Sequence, residues 1–225
     1  LSNFYSKINS DRAIKKSYKE IAITVKVKHK TNIQNASQFF LKEGPLAILP
    51  YKKDYFSMVW SVNNNYFYEN KNNLKNILFG KLKTLLNTNK IINIGEIKTF
   101  PINLNLKTKY FKKNTLILGD GLHAIHPIAG QGFNLVLRDI RKLTELTSRT
   151  LQLGLLFKNT LILKDFYNSR KPENNLFGLG VNLTNLFFKD RKYFSSIKKI
   201  VLNNISNFSF VKRTSQKLAD RGFLF

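Results

Sequence analysis

The sequence predicts a mixed α/β fold in three parts: an antiparallel sheet, a strand–loop–helix segment, and a helical tail. Three observations predict it. Residues 20–28 (EIAITVKVK) alternate apolar and polar positions and carry β-branched side chains, the pattern of a half-buried strand. Residues 116–139 (LILGDGLHAIHPIAGQGFNLVLRD) run from an apolar stretch through a loop of glycine and histidine into apolar positions at helical spacing. Beyond Asp139 that helical spacing continues, with little β-type alternation.

In chain order, strand 20–28 is followed by three shorter apolar runs, 39–41, 46–49 and 55–62, which predict further strands of an antiparallel meander. Gly44-Pro45 and residues 50–54 (PYKKD) are the turns between them. Residues 72–86 place Leu74, Ile77, Leu78, Leu82, Leu85 and Leu86 on one face of an amphipathic helix. Residues 94–106 return to extended structure, with Pro101 marking an edge or a bend. The short apolar run 115–118 predicts a buried strand. A helix over 139–153 stops at Gly154, and a second over 161–170 is broken or restarted by Pro172. Residues 176–188, 193–210 and 211–221 continue as helices with mixed faces. The expected divisions are a β-rich part, 1–110, a strand–loop–helix part, 111–150, and a helical region, 151–225.

Composition narrows the function. The chain has 225 residues, 43% apolar and 13% aromatic, enough for a folded core. It has no cysteine, which excludes disulfides and thiolate metal sites. No run approaches the ~18 apolar residues of a membrane-spanning helix, and the first residues lack the order of a signal peptide. A cytoplasmic location is expected. The chain opens at Leu1 and its one methionine is Met58, so it is expected to be a piece of something longer. The net charge of +25 raises nucleic-acid binding as a function. The lysines, however, are scattered from Lys7 to Lys217 among asparagines, the pattern of a solvated basic surface. No nucleic-acid partner is expected, and a basic nucleic-acid-binding protein is kept as the rival from another class.

The segment 116–139 carries the most specific chemistry. An apolar run ends at Gly119-Asp120-Gly121, where α/β folds place ligands. Gly130 and Gly132 would admit a close approach of the backbone, and a helix starting near Phe133 would aim free N–H groups outward. On the residues alone, a turn or capping aspartate and an ordinary glycine loop are the plainer roles. Asp120, His123 and His126 do not share one helical face at their spacing, and Pro127 argues against a helix there, so no metal site is expected.

Residues 119–139 resemble the second flavin-binding motif of the FAD-dependent aromatic hydroxylases of the para-hydroxybenzoate hydroxylase type. That pattern is Gly-Asp-x-x-His, then His-Pro-x-x-Gly-Gln-Gly-x-Asn, then an aspartate. Residues 38–60 (QFFLKEGPLAILPYKKDYFSMVW) are similar to the phenylalanine-rich strand, Gly-Pro turn and Val-Trp strand of the ubiquinone-biosynthesis branch. Gly121-Leu122 stand where the family commonly has Ala-Ala, and the family's Gly-x-Gly-x-x-Gly turn for the ADP half of FAD does not occur here. The resemblance therefore implies the C-terminal part of such a fold, expected to be inactive alone.

What the resemblance implies is an FAD-dependent monooxygenase, reduced by NAD(P)H, that hydroxylates the ring of a polyprenylated phenol with O2 through a flavin hydroperoxide. Another flavin-dependent aromatic hydroxylase, or a reductase of the same fold, is the alternative. The flavin carries the chemistry, so no catalytic side chain is expected. Gly119, Asp120, His126, Pro127, Gly130, Gln131, Gly132, Phe133 and Asn134 would bind the cofactor. Asp120 would accept from the ribityl chain, and the helix start would face the pyrimidine edge, which becomes anionic on reduction. Pro127 would lie over the flavin, and His126 would tether the loop. Phe39, Phe40, Leu46, Ile48, Met58 and Trp60 are candidates to line the substrate site, and each is equally well a core residue. An insoluble substrate implies peripheral contact with the inner face of a membrane, through the aromatic and basic segments 176–188 and 193–210, and contact with other ubiquinone-biosynthesis enzymes. Core packing is the plainer role of those segments.

Overall fold

A computed structural model describes residues 13–127, 130–155 and 161–189 of the chain. They fall into two compact units, Ser17–Ile102 and a second that takes in Lys16 and the residues before it together with those from Asn103 onward. The division precedes position 110, and the 111–150 segment shares its unit with the helix that follows it.

The unit Ser17–Ile102 is an antiparallel sheet with helices on one face. Its strands are β1 (Ala13–His29), β2 (Ser37–Phe40), β3 (Pro45–Lys52), β4 (Tyr55–Asn63), β5 (Ile91–Ile94) and the first part of β6 (Lys98–Lys107). β2, β3, β4 and β1 lie side by side in that order, and β5 also pairs with β1. The register sets Ile21 opposite Val62, Ile23 opposite Trp60, Val25 opposite Met58 and Val27 opposite Phe56. Leu46 and Ile48 on β3 meet Trp60 and Met58 on β4. The period of two therefore sends all these side chains to one face. Helix α2 (Leu74–Leu86) contributes Leu74, Leu78 and Leu82, one turn apart, to the same core. Each fully buried side chain of this size contributes about 1.5–3 kcal/mol.

Several expectations are corrected in detail. The turn expected over 50–54 is tighter: β3 runs to Lys52, and a register shift between Pro50 and Lys52 absorbs the proline. A helix not foreseen, α1 (Asn64–Asn70), precedes α2. Its sequence, NNYFYEN, has poor helix formers, but Asn63 caps it by accepting from the Asn65 amide at 2.9 Å. A short 3₁₀ turn, Lys71–Asn73, joins α1 to α2, which begins at Leu74 and ends in left-handed Asn87. The extended run expected over 94–106 is β6, with exposed Pro101 inside it, while β5 starts earlier, at Ile91, and shares only Ile94 with that run.

In the other unit, the later part of β6 pairs with β9 (His123–Ala124), setting Asn105 opposite Ala124 and Leu106 opposite His123. Only Thr115–Leu116 of the expected 115–118 strand pairs, as β8 in a small ribbon with β7 (Phe111–Lys112). Helix α3 (Gln131–Gln152) begins two residues before the start expected near Phe133 and runs unbroken into the helix expected over 139–153, ending before Gly154, whose φ is +67°. Helix α4 (Leu161–Lys189) is continuous through Pro172, where a break was expected. The helices expected over 193–210 and 211–221 lie outside the described residues. Tyr110, Ile117, Leu122 and Phe166 form the core here, with Leu143 and Leu146 of α3 against it.

Candidate cofactor site

The apolar run ends in a 3₁₀ turn, Gly119–Gly121, which packs against α3. Gly119 has φ +69°, a conformation that favours glycine, and a Cβ there would reach Val136 at 4.0 Å. Asp120 at the centre of the turn is exposed. The chain then enters β9, and the Gly130 amide donates to the Pro127 carbonyl at 2.9 Å, closing the turn that leads into α3.

Gly130 is the N-cap of α3, in the left-handed region at φ +60°. It provides no side-chain acceptor to the helix start. Space is open around it: a Cβ would meet nothing within 4 Å. The leading amides of a helix have no intrahelical partners, and the positive end of its dipole points the same way. A Cβ on Gly132 would stand 3.9 Å from Ile125, so the helix start also lies against the loop. The structure thus brings an exposed carboxylate on one turn and an uncapped helix N-terminus into one locality.

Behind this surface lies a buried polar network. His123 Nε2 donates to Asp139 Oδ2 at 2.6 Å. Arg170 Nε donates to Asp139 Oδ1 at 2.7 Å, and Asn174 Nδ2 donates to the same oxygen at 3.2 Å. Arg170 also bonds Glu173, and its third nitrogen donates to Asn174 Oδ1 at 2.9 Å. Arg138 stands 3.6 Å from Glu173 and over the Phe177 ring. Two carboxylates thus face two guanidinium groups and one imidazole. Burial alone would push the Asp139 carboxyl up, but the hydrogen bonds from His123 and Arg170 outweigh it and hold the pKa below its usual value. Burial pushes the neighbouring Tyr110 hydroxyl up to about 12, so it stays protonated beside Asn174.

Of the residues expected at the cofactor, Pro127, Gly130 and Phe133 are exposed, Phe133 by 71%, while Gly119, Gly132 and Asn134 are half-buried. The His126 side chain is wholly buried, which suits a tether of the loop and leaves the ring no surface toward a cofactor. The Gln131 side chain, with Ile128 and Ala129, lies outside the described residues. The expected substrate lining is also corrected. Leu46, Ile48, Met58 and Trp60 are sealed in the core with α2, with no surface left for a ligand. Phe40 differs in parity and is half exposed. The network around Asp139 was not foreseen. Its signal was present, because Asp139 falls between Leu135 and Leu143 at intervals of four, a charge on the inward face of a helix.

Comparison with known proteins gives a consistent result. The model of a family described as an FAD binding domain matches residues 12–152. The ubiquinone biosynthesis monooxygenase COQ6 of Dictyostelium discoideum is 27% identical over 205 residues, covering 75% of this chain and 41% of that protein. The 3-demethoxyubiquinol 3-hydroxylase of Escherichia coli is 26% identical over 151 residues, covering 65% of this chain and 38% of that protein. The chain therefore spans less than half the length of these relatives. Among solved structures, p-nitrophenol 4-monooxygenase PnpA from Pseudomonas putida superposes with a TM-score of 0.75 at 12% identity, over 92% of this chain and 55% of that one.

Proposed function

This chain belongs to the FAD binding domain family, and from that membership we propose that it serves in an FAD- and NAD(P)H-dependent monooxygenase that hydroxylates the ring of a polyprenylated phenol in ubiquinone biosynthesis. The observation that carries the reading is the uncapped start of α3 beside exposed Asp120. The residues present fit the isoalloxazine and ribityl side of FAD. Asp120 would accept hydrogen bonds from ribityl hydroxyls. The leading amides of α3, with the helix dipole behind them, would stabilise negative charge on the ring's pyrimidine edge. Gly130 leaves the approach open, and exposed Pro127 fixes the turn beside it. When bound, FAD would supply the electron transfer and oxygen activation that side chains cannot. The ubiquinone branch is supported by the relatives named above.

The test is on the complete gene product. It should purify with flavin absorbance, and Asp120→Ala should weaken FAD binding by about tenfold or more, the size of a lost bond to a charged group. It should oxidise NAD(P)H and hydroxylate prenylated phenols in preference to soluble ones. Absence of flavin binding would overturn the enzyme reading. Preference for soluble phenols would move it to another branch.

A further inference from the structure

Asp139 ties together stretches of chain far apart in sequence. One of its oxygens takes the imidazole of His123, and the other takes Arg170 and Asn174. His123, Asp139 and Arg170 are 1%, 0% and 4% exposed, so these bonds are shielded from water. Arg170 and Asn174 on Asp139, with Arg138 against Glu173 and Phe177, hold α4 to α3 without His123. The bond to His123 does something else, because His123 lies in the loop, midway between Asp120 and His126. That loop is also held by the two-residue strand β9, by the Lys107 amide on the Leu122 carbonyl, and by the buried Leu122 and His126 side chains, but the His123–Asp139 bond is the charged one that ties it to α3. Asp139 itself is on α3, about two and a half turns beyond Gly130.

We propose that Asp139, His123 and Arg170 are positioning residues of the cofactor site: the Asp139 carboxylate clamps loop 119–127 to α3, and α4 backs the clamp through Arg170. Asp120 and the leading amides of α3 then stand in one arrangement before a ligand arrives, which spares the ordering cost on binding. The inference rests on the FAD reading above.

The test uses His123→Ala and His123→Gln in the complete gene product. Alanine removes the donor to Asp139, and glutamine restores one. FAD affinity, the thermal midpoint and deuterium exchange of the FAD-free protein are measured together. At metal sites, removing groups that hold ligating side chains in place commonly costs about 10- to 100-fold in affinity, and a loss of that order is expected here. His123→Ala should weaken FAD binding by roughly tenfold at least and speed exchange in 119–127 while leaving the amides of α3 and α4 unchanged. His123→Gln should recover most of the affinity. Arg170→Lys supplies the same exchange measurement should the alanine variant fail to fold. Affinity within twofold of the unaltered protein, or exchange that is unchanged or rises evenly through loop and helices, would overturn the clamp while sparing the FAD reading. If the unaltered protein binds no FAD, the FAD reading fails and this inference falls with it.

Discussion

Asp139 holds its proton less readily than an ordinary carboxyl although it is buried, because His123 and Arg170 both donate to it. A carboxyl with its folded pKa depressed adds stability that is present above its unfolded value and is lost as pH falls through the folded one. The thermal midpoint of the protein should therefore fall below about pH 4. Asp139→Asn removes this contribution and leaves two guanidinium groups facing Glu173 alone. Chemical denaturation at neutral pH should show a loss of about 3–5 kcal/mol, and the midpoint of the variant should depend less on acid. A variant as acid-sensitive as the parent would overturn this account. Gly44 is a second residue whose identity is dictated. Its φ is +141°, and a Cβ would come to 1.9 Å from the Ser61 carbonyl oxygen. Gly44→Ala should cost about 2 kcal/mol or more, read as a lower thermal midpoint.

At the scale of elements, α4 shows tertiary contacts overriding a local signal. Pro172 lacks the N–H that a helix interior requires, which is why a break was expected there. Arg170, Glu173 and Asn174 straddle it, however, and all three enter the buried network. The helix is held from both sides of the proline, and the proline itself is exposed. Two glycines on α4 give a paired prediction. A Cβ on Gly180 would meet nothing within 4 Å, whereas one on Gly178 would come to 2.6 Å from the tip of Leu106. Gly180→Ala should raise stability by about 0.5–1 kcal/mol through helix propensity. Gly178→Ala should lose that gain or become destabilising, because Leu106 is buried on β6. Denaturant midpoints of the two variants, measured side by side, check the contrast. Strands β1 to β4 and helix α2 were legible because alternation and helical spacing are read directly from neighbouring residues. The same parity could not say which face lines a ligand, so Leu46, Ile48, Met58 and Trp60 were candidates until α2 was seen to seal them. A motif singles out Asp120 and Gly130 as candidates, but the partners of Asp139 come from positions 123, 170 and 174, which no local pattern joins.

At the scale of the whole molecule, the charge must be reconciled with the proposed chemistry. Lys and Arg number 38 against 13 Asp and Glu, a formal net charge of +25. A nucleic-acid-binding protein would concentrate such an excess on one face and interleave stacking aromatics. Here the exposed lysines are spread over several elements. Lys15, Lys16 and Lys26 are on β1, Lys52 and Lys53 flank the β3–β4 turn, Lys75 is on α2, and Lys112 and Lys113 are at the β7–β8 ribbon. No described helix is long and apolar enough to cross a membrane, and attraction of such lysines to an anionic surface is worth about 1 kcal/mol for each nearby cation. A dispersed charge of this kind binds polyanions weakly, through counterion release, and the binding collapses with salt. Titration with duplex DNA should therefore give measurable association at about 50 mM salt and a dissociation constant no tighter than about 1 μM near 150 mM. The electrostatic part of any binding to phosphatidylserine vesicles should decline in the same way, because salt screens it equally. Tighter, sequence-dependent binding to DNA at physiological salt would mean that the lysines form an organised surface, and the rival function would gain the support it now lacks.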